Sequence, residues 1–97
     1  MKTLILKNIV KNSGSNEQGA VLFHHLQDAY LNKDTLILHV DSSLSMSSSF
    51  LNSSMGLFLD KYGLNNFKQT VKFKGSRNQF FRLSDYINKY GTLYPIN

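Results

Sequence analysis

The chain has 97 residues, enough for one core and too few for two, and its 41% hydrophobic and 12% aromatic content can fill an interior that a disordered chain lacks. It has no cysteine, which excludes disulfides, thiolate zinc sites and cysteine nucleophiles and makes the cytoplasm the expected compartment. The net charge of +5 is uneven: residues 1–60 hold four Lys and Arg against five Asp and Glu, and residues 61–97 hold seven against one. That asymmetry suits either a solvated basic face or an acidic or nucleic-acid partner.

The N-terminus, MKTLILKNIVK, starts with a lysine as a signal peptide does. Lys7 interrupts its apolar stretch, however, and no small-residue cleavage site follows, so a strand is expected over residues 3–10. KNSGSN reads as a loop. From Glu17 to about Asn32, Leu22, Phe23, Leu26, Ala29 and Tyr30 recur at the three- and four-residue spacings of one helix face. TLILHV, residues 35–40, is a short apolar run suited to a central strand covered on both faces, and Asp41 and the serine-rich DSSLSMSSS close it.

A second helix is expected to begin near Ser48 or Ser49, both good N-cap types, with Leu51, Met55, Phe58 and Tyr62 as its stripe and Gly63 at its end. QTVKFK, residues 69–74, alternates Val71 and Phe73 with Lys72 and Lys74, the pattern of a sheet edge. Ser76 then caps a third helix with Phe80, Leu83, Ile87 and Tyr90 on its apolar face, ending at Gly91 before a loose tail of about 92–97. The order β-α-β-α-β-α predicts a single α/β domain over 1–97, a layered fold with a mostly parallel sheet.

The segment LILHVDSSLSMSSSFLNSSMGLFLDKYG, residues 36–63, resembles the STAS-like domain of unknown function, a bacterial relative of the anti-sigma factor antagonists. The resemblance rests on a buried strand ending in Asp41, the turn Ser47, Ser48, Ser49, Phe50, and a helix containing Gly56. It implies a non-enzymatic regulatory domain that meets a protein partner, such as a histidine-kinase-like ATPase, and is switched by phosphorylation of a turn serine. Laying the turns together makes Ser49 the better-matched phosphoacceptor and Ser48 its neighbour, with Asp41, Ser45, Ser47, Phe50, Asn52 and Ser53 as the partner-binding set. The chain departs from the wider antagonists where their aspartate becomes Ser47 and their glycine becomes Phe50, and from many STAS-like members where acidic residues become Asn52 and Ser53.

The residues make part of this case unaided. A serine at a helix N-terminus faces unpaired backbone N–H groups and the positive end of the helix dipole, which hold a phosphate favourably. The same serine serves equally as a plain helix cap.

Other chemistry lacks support. Adjacent His24 and His25 point about 100 degrees apart on a helix and cannot share a metal as an i, i+4 pair does. His39 suits a satisfied core or boundary position, and the Asp residues form no pair. No G-x-S-x-G, P-loop or dinucleotide motif occurs, so no cofactor, metal or catalytic residue is expected. Lys68, Lys72, Lys74, Arg77 and Arg82, interleaved with Phe67, Phe73, Phe80 and Phe81, form a basic patch that makes nucleic-acid binding the alternative function. The phenylalanines are expected in the core, where they cannot stack on bases. A phage-encoded or accessory inhibitor on the same scaffold is a third reading.

Overall fold

The computed structural model describes residues 2–12 and 14–93. Three strands, β1 (Lys2–Ile5), β2 (Leu36–His39) and β3 (Val71–Lys74), form an all-parallel sheet in the order β1-β2-β3. Thr3, Ile37 and Lys72 lie side by side, as do Leu4, Leu38 and Phe73. The register therefore puts Leu4, Leu36, Leu38, Val71 and Phe73 on the face that meets the helices. Thr3, Ile5, Ile37, His39, Lys72 and Lys74 share the other face and are half-buried or exposed. β2 is central, as its apolar run predicts, but it is fully covered on one face only.

The first strand is shorter than expected. It stops at Ile5, and Leu6–Ile9 form a single helical turn, α1, closed by the Val10 N–H donating to the Leu6 carbonyl. The apolar residues of this stretch already break alternation: Leu6 and Val10, four apart, are both buried, and only a helical turn puts them on one side.

Helix α2 (Asn16–Leu31) matches its predicted span and stripe, and Ser15 Oγ caps it by accepting the Gln18 N–H. After β2 and the serine turn comes one long helical segment made of α3 (Ser48–Leu51), a π-helical stretch (Asn52–Gly56) and α4 (Leu57–Tyr62). It ends at Gly63, whose φ of 86° favours glycine, as expected.

The π stretch is not legible as periodicity, and two serines explain how it is satisfied. Widening the helix frees carbonyls, and Ser53 Oγ donates to Ser49 O at 2.9 Å while Ser54 Oγ donates to Phe50 O at 2.7 Å. Helix α2 presses against this bulge at Gly19. A Cβ there would overlap Ser53 Oγ and come within 2.7 Å of the Phe50 carbonyl oxygen.

A further helix, α5 (Leu64–Thr70), occupies ground expected to be loop and the start of a strand, so β3 begins at Val71 rather than residue 69. Phe67 supplies the reason: it is buried against Phe58, their ring centroids 5.8 Å apart, and a helical turn brings it there. Tyr30, Phe58, Tyr62 and Phe67 form an aromatic cluster joining α2, α4 and α5, with Tyr62 OH donating to Gln27 Oε1. Helix α6 (Arg77–Leu93) runs through Gly91, which does not stop it; residues 94–97 of the expected loose tail lie outside the described residues.

Candidate functional site

The carboxyl ends of parallel strands are where open α/β sheets place their functional loops. Here that rim carries Lys7 just after β1, Asp41 after β2, and Gly75 and Ser76 after β3. Asp41 organises the rim. Its Oδ1 accepts from the Ser43 N–H at 2.9 Å and the Ser43 hydroxyl at 2.6 Å, and its Oδ2 pairs with Lys7 Nζ at 3.3 Å. The Ser43 hydrogen bonds foremost, with the lysine adding to them, hold the Asp41 carboxyl down at about 2.

The turn that follows is pinned from both sides. Met46 is buried and Leu44 packs against the core. Ser76 and Gln79 form a capping box at the start of α6: Gln79 N–H donates to Ser76 Oγ at 3.2 Å, and Ser76 N–H donates to Gln79 Oε1 at 2.9 Å. The remaining two hydrogens of the same side chain are spent on the turn, Gln79 Nε2 donating to Asp41 O at 2.6 Å and to Leu44 O at 2.8 Å. One turn further along α6, Arg82 Nε donates to Met46 O at 2.9 Å and Nη2 to Ser48 Oγ at 3.4 Å. A turn beyond that, Tyr86 OH donates to Asn52 Oδ1 at 2.7 Å. Gln79, Arg82 and Tyr86 thus form one face of α6 laid along the serine turn. A cleft of about 300 Å³ between them is lined by Ser42, Ser45, Ser76, Asn78 and Arg82 among others.

The helix cap falls one residue earlier than the sequence suggests. Ser47, not Ser48 or Ser49, is the N-cap: its Oγ accepts the Phe50 N–H at 3.1 Å and donates to the Gly14 carbonyl at 3.0 Å. Ser48 and Ser49 therefore occupy the first helical turn with exposed side chains, together with exposed Ser45 and Asn52. Among the described residues the Ser49 hydroxyl has no hydrogen-bond partner.

Two members of the expected partner-binding set do not face outward. Phe50 is fully buried in the core, and Ser53 is turned to the backbone of its own helix under Gly19. Phe50 faces inward from α3, one turn before buried Ser54 and two before buried Phe58, and Ser53 lies in the π stretch that meets α2.

The basic patch is divided. Lys68, Lys72, Lys74 and Arg77 are exposed around β3, α5 and the start of α6, with Lys72 Nζ donating to Lys68 O at 2.9 Å, whereas Arg82 belongs to the serine turn. Phe67 is buried as expected, but Phe80 and Phe81 are 51% and 59% exposed, contrary to a core position for both. Helix α6 lies with Leu83 inward and leaves both rings at its margin. Gln79 and Tyr86 were the functional positions missed; the S-x-x-Q spacing of Ser76 and Gln79 is a readable capping signal, while the bridge to the turn needs the tertiary fold.

Among the described residues no group of acidic and histidine side chains could hold a metal, and no helix is long and apolar enough to cross a membrane.

A parallel sheet whose central strand is followed by an acidic residue and a serine turn that caps a helix fits the arrangement the sequence resemblance implies. A family model described as a STAS-like domain of unknown function matches residues 18–79. The chain belongs to this family. The match runs from the first turn of α2 to Gln79 and so takes in the serine turn and the glutamine that clamps it, leaving β1 and most of α6 outside. No curated protein and no solved structure gives a significant match to this STAS-like domain.

Proposed function

We infer that this STAS-like domain is a non-enzymatic regulatory module that meets another protein through the outer surface of its serine turn, residues 45–50, and the start of α3. The observation that supports it is the contrast within the turn. Its backbone is fixed by Asp41, Ser47, Gln79 and Arg82, yet Ser45, Ser48, Ser49 and Asn52 present a polar outer surface. A preorganised surface of this kind loses little conformational entropy on association. Ser49 is the phosphoacceptor in this reading: its hydroxyl is exposed in the first turn of the helix, where added phosphate gains from the helix dipole and adds up to about two negative charges to the contact surface. The resemblance suggests a histidine-kinase-like ATPase as partner, in the cytoplasm.

The experiment is a pull-down from the native host with wild type and Ser49→Asp. A protein retained by one and lost by the other is expected; retention of nothing by either counts against the reading.

Exposure of Phe80 and Phe81 beside Lys74 and Arg77 favours a second reading, a nucleic-acid-binding regulator whose rings stack on bases. It requires a gel shift at low salt that charge reversal at Lys72, Lys74 and Arg77 abolishes.

A further inference from the structure

Each crossover in this fold steps one strand along the sheet in the same direction. α2 carries the chain from β1 to β2, and the helices from α3 to α5 carry it from β2 to β3. Helix α6 leaves β3 as the others leave their strands, and by the same handedness it overhangs the outer edge of β3, over the place a fourth strand takes in such a winding. Among the described residues no strand lies there.

What lies there is an open groove of about 380 Å³ between α6 and the sheet edge. Its walls are Phe67 from α5, Val71 and Phe73 from β3, and Phe80, Leu83 and Ile87 from α6. These are the residues that the inward side chains of an adjacent strand would touch. The backbone is set for one too. Lys74 O accepts from Val40 N–H, so Lys72 and Lys74 direct their backbone groups toward β2, and the alternation of the ladder turns those of Phe73 to the outer edge.

The rim sets the charge of the occupant. Lys68, Lys72, Lys74 and Arg77 are exposed around this edge, and none has a carboxylate within ion-pair distance among the described residues; the nearby Asp85 is paired to Lys89 at 3.1 Å. An isolated lysine rim discourages pairing with a second copy of the same edge, because the two rims repel.

We propose that the outer edge of β3 and the groove beneath α6 form a docking site for an extended acidic segment of a partner protein. The segment adds as a fourth strand, with apolar side chains in the groove and carboxylates against Lys68, Lys72, Lys74 and Arg77. Strand addition of this type draws affinity from main-chain hydrogen bonds and specificity from alternate side chains. A nucleic acid can meet the lysines, but it has no repeating backbone N–H to pair along the strand edge at Phe73. The site is separate from the serine turn, and Ser49→Asp leaves it unchanged.

The probe is an end-capped ten-residue peptide alternating Glu with Val and Phe, titrated by fluorescence anisotropy against the whole chain. Expected is saturable one-to-one binding with Kd below about 1 mM, weakening as salt rises, and slowed hydrogen exchange at the Phe73 amide. Lys72→Glu with Lys74→Glu reduces affinity at least about tenfold through lost charge pairing, and Ser84→Trp, which fills the groove, does the same. Should Ser84→Trp unfold, the paired lysine reversals on the exposed strand side chains still carry the test. The proposal is overturned by absence of saturable binding, by equal binding of the peptide with Lys in place of Glu, by binding of a ten-residue oligothymidylate but not the peptide, or by dimerisation that the lysine reversals do not weaken and that excludes the peptide.

Discussion

The two flanks of the sheet are built from the same kinds of residue and finished differently. On the β1–β2 side, α2 presses on the long helix through Gly19, the rings of Tyr30, Phe58, Tyr62 and Phe67 interlock, and the lysine that follows β1 is paired to Asp41. On the β3 side, Gln79 and Leu83 of α6 are buried, Arg82 and Tyr86 reach the serine turn, and Phe80 and Phe81 stay exposed. Among the described residues, Lys68, Lys72 and Lys74 there form no ion pair with a carboxylate. The difference teaches that apolar content alone does not mark the core, since Phe58 and Phe80 are equally hydrophobic and a folding element covers only one of them.

The sharpest way to break the comparison is to truncate those two rings. Phe58→Ala empties a fully buried site at the centre of the aromatic cluster and is expected to cost about 3 to 5 kcal/mol in urea unfolding. Phe80→Ala, half in water already, is expected to stay within about 0.5 kcal/mol of wild type. A Phe80 cost approaching that of Phe58 would show that α6 closes over its groove in solution.

Gln79 joins the two flanks, and its removal is expected to have the next largest effect. Gln79→Ala leaves the Ser76 N–H and two loop carbonyls without their partner, at a cost of about 1 to 3 kcal/mol. Hydrogen exchange should accelerate across residues 41–46 and the first turn of α6, with little change in α2. Uniform acceleration would mean that the clamp supports the whole fold rather than the turn.

How far the sequence reveals these features follows from their physics. The order of strands and the spans of α2 and the long helix are legible because burial imposes a period, as Leu22, Leu26 and Ala29 or Leu51, Met55 and Phe58 show. The edge position of β3 is legible from Lys72 and Lys74. Ending β1 at Ile5 depends on a turn that buries Leu6 with Val10, and α5 depends on Phe67 reaching Phe58, neither of which a strand or loop pattern announces. Within the site, the solvent-facing serine turn is legible from composition. The choice of Ser47 over Ser48 as the cap is not, because adjacent serines have the same capping chemistry and the Gly14 carbonyl decides between them. Phe50 is buried one helical turn before Ser54 and two before Phe58, and the turning of Ser53 onto its own helix follows from the π stretch, which has no sequence period of its own.

A smaller effect is expected at the end of α2. There the Asp34 N–H donates to Ala29 O and the Lys33 N–H to Tyr30 O, the paired bonds of a Schellman motif, and Lys33 takes the left-handed position with φ 56°. Glycine is the favoured residue at such a position because it has no Cβ to strain. Lys33→Gly is expected to raise stability by at most about 1 kcal/mol in thermal unfolding, since glycine's greater unfolded-state freedom offsets part of the gain.

The smallest effect separates the paired lysine from the unpaired ones. Asp41 is held at about 2, below its ordinary value near 3.8, chiefly by Ser43 and then by Lys7. A depressed carboxylate contributes stability that is present above its unfolded value and is lost as pH falls from about 4 through about 2. The pair is solvent-exposed, so the contribution is modest and salt-sensitive. NMR titration of the Asp41 carboxyl should follow a midpoint near 2, and Lys7→Met should raise it only part of the way because Ser43 is the larger cause. Lys72→Met and Lys74→Met should leave it in place, since neither residue contributes to holding that carboxyl down. A midpoint that moves with the β3 lysines would mean that the two flanks share one electrostatic field, and that the positive rim along β3 reaches the serine turn.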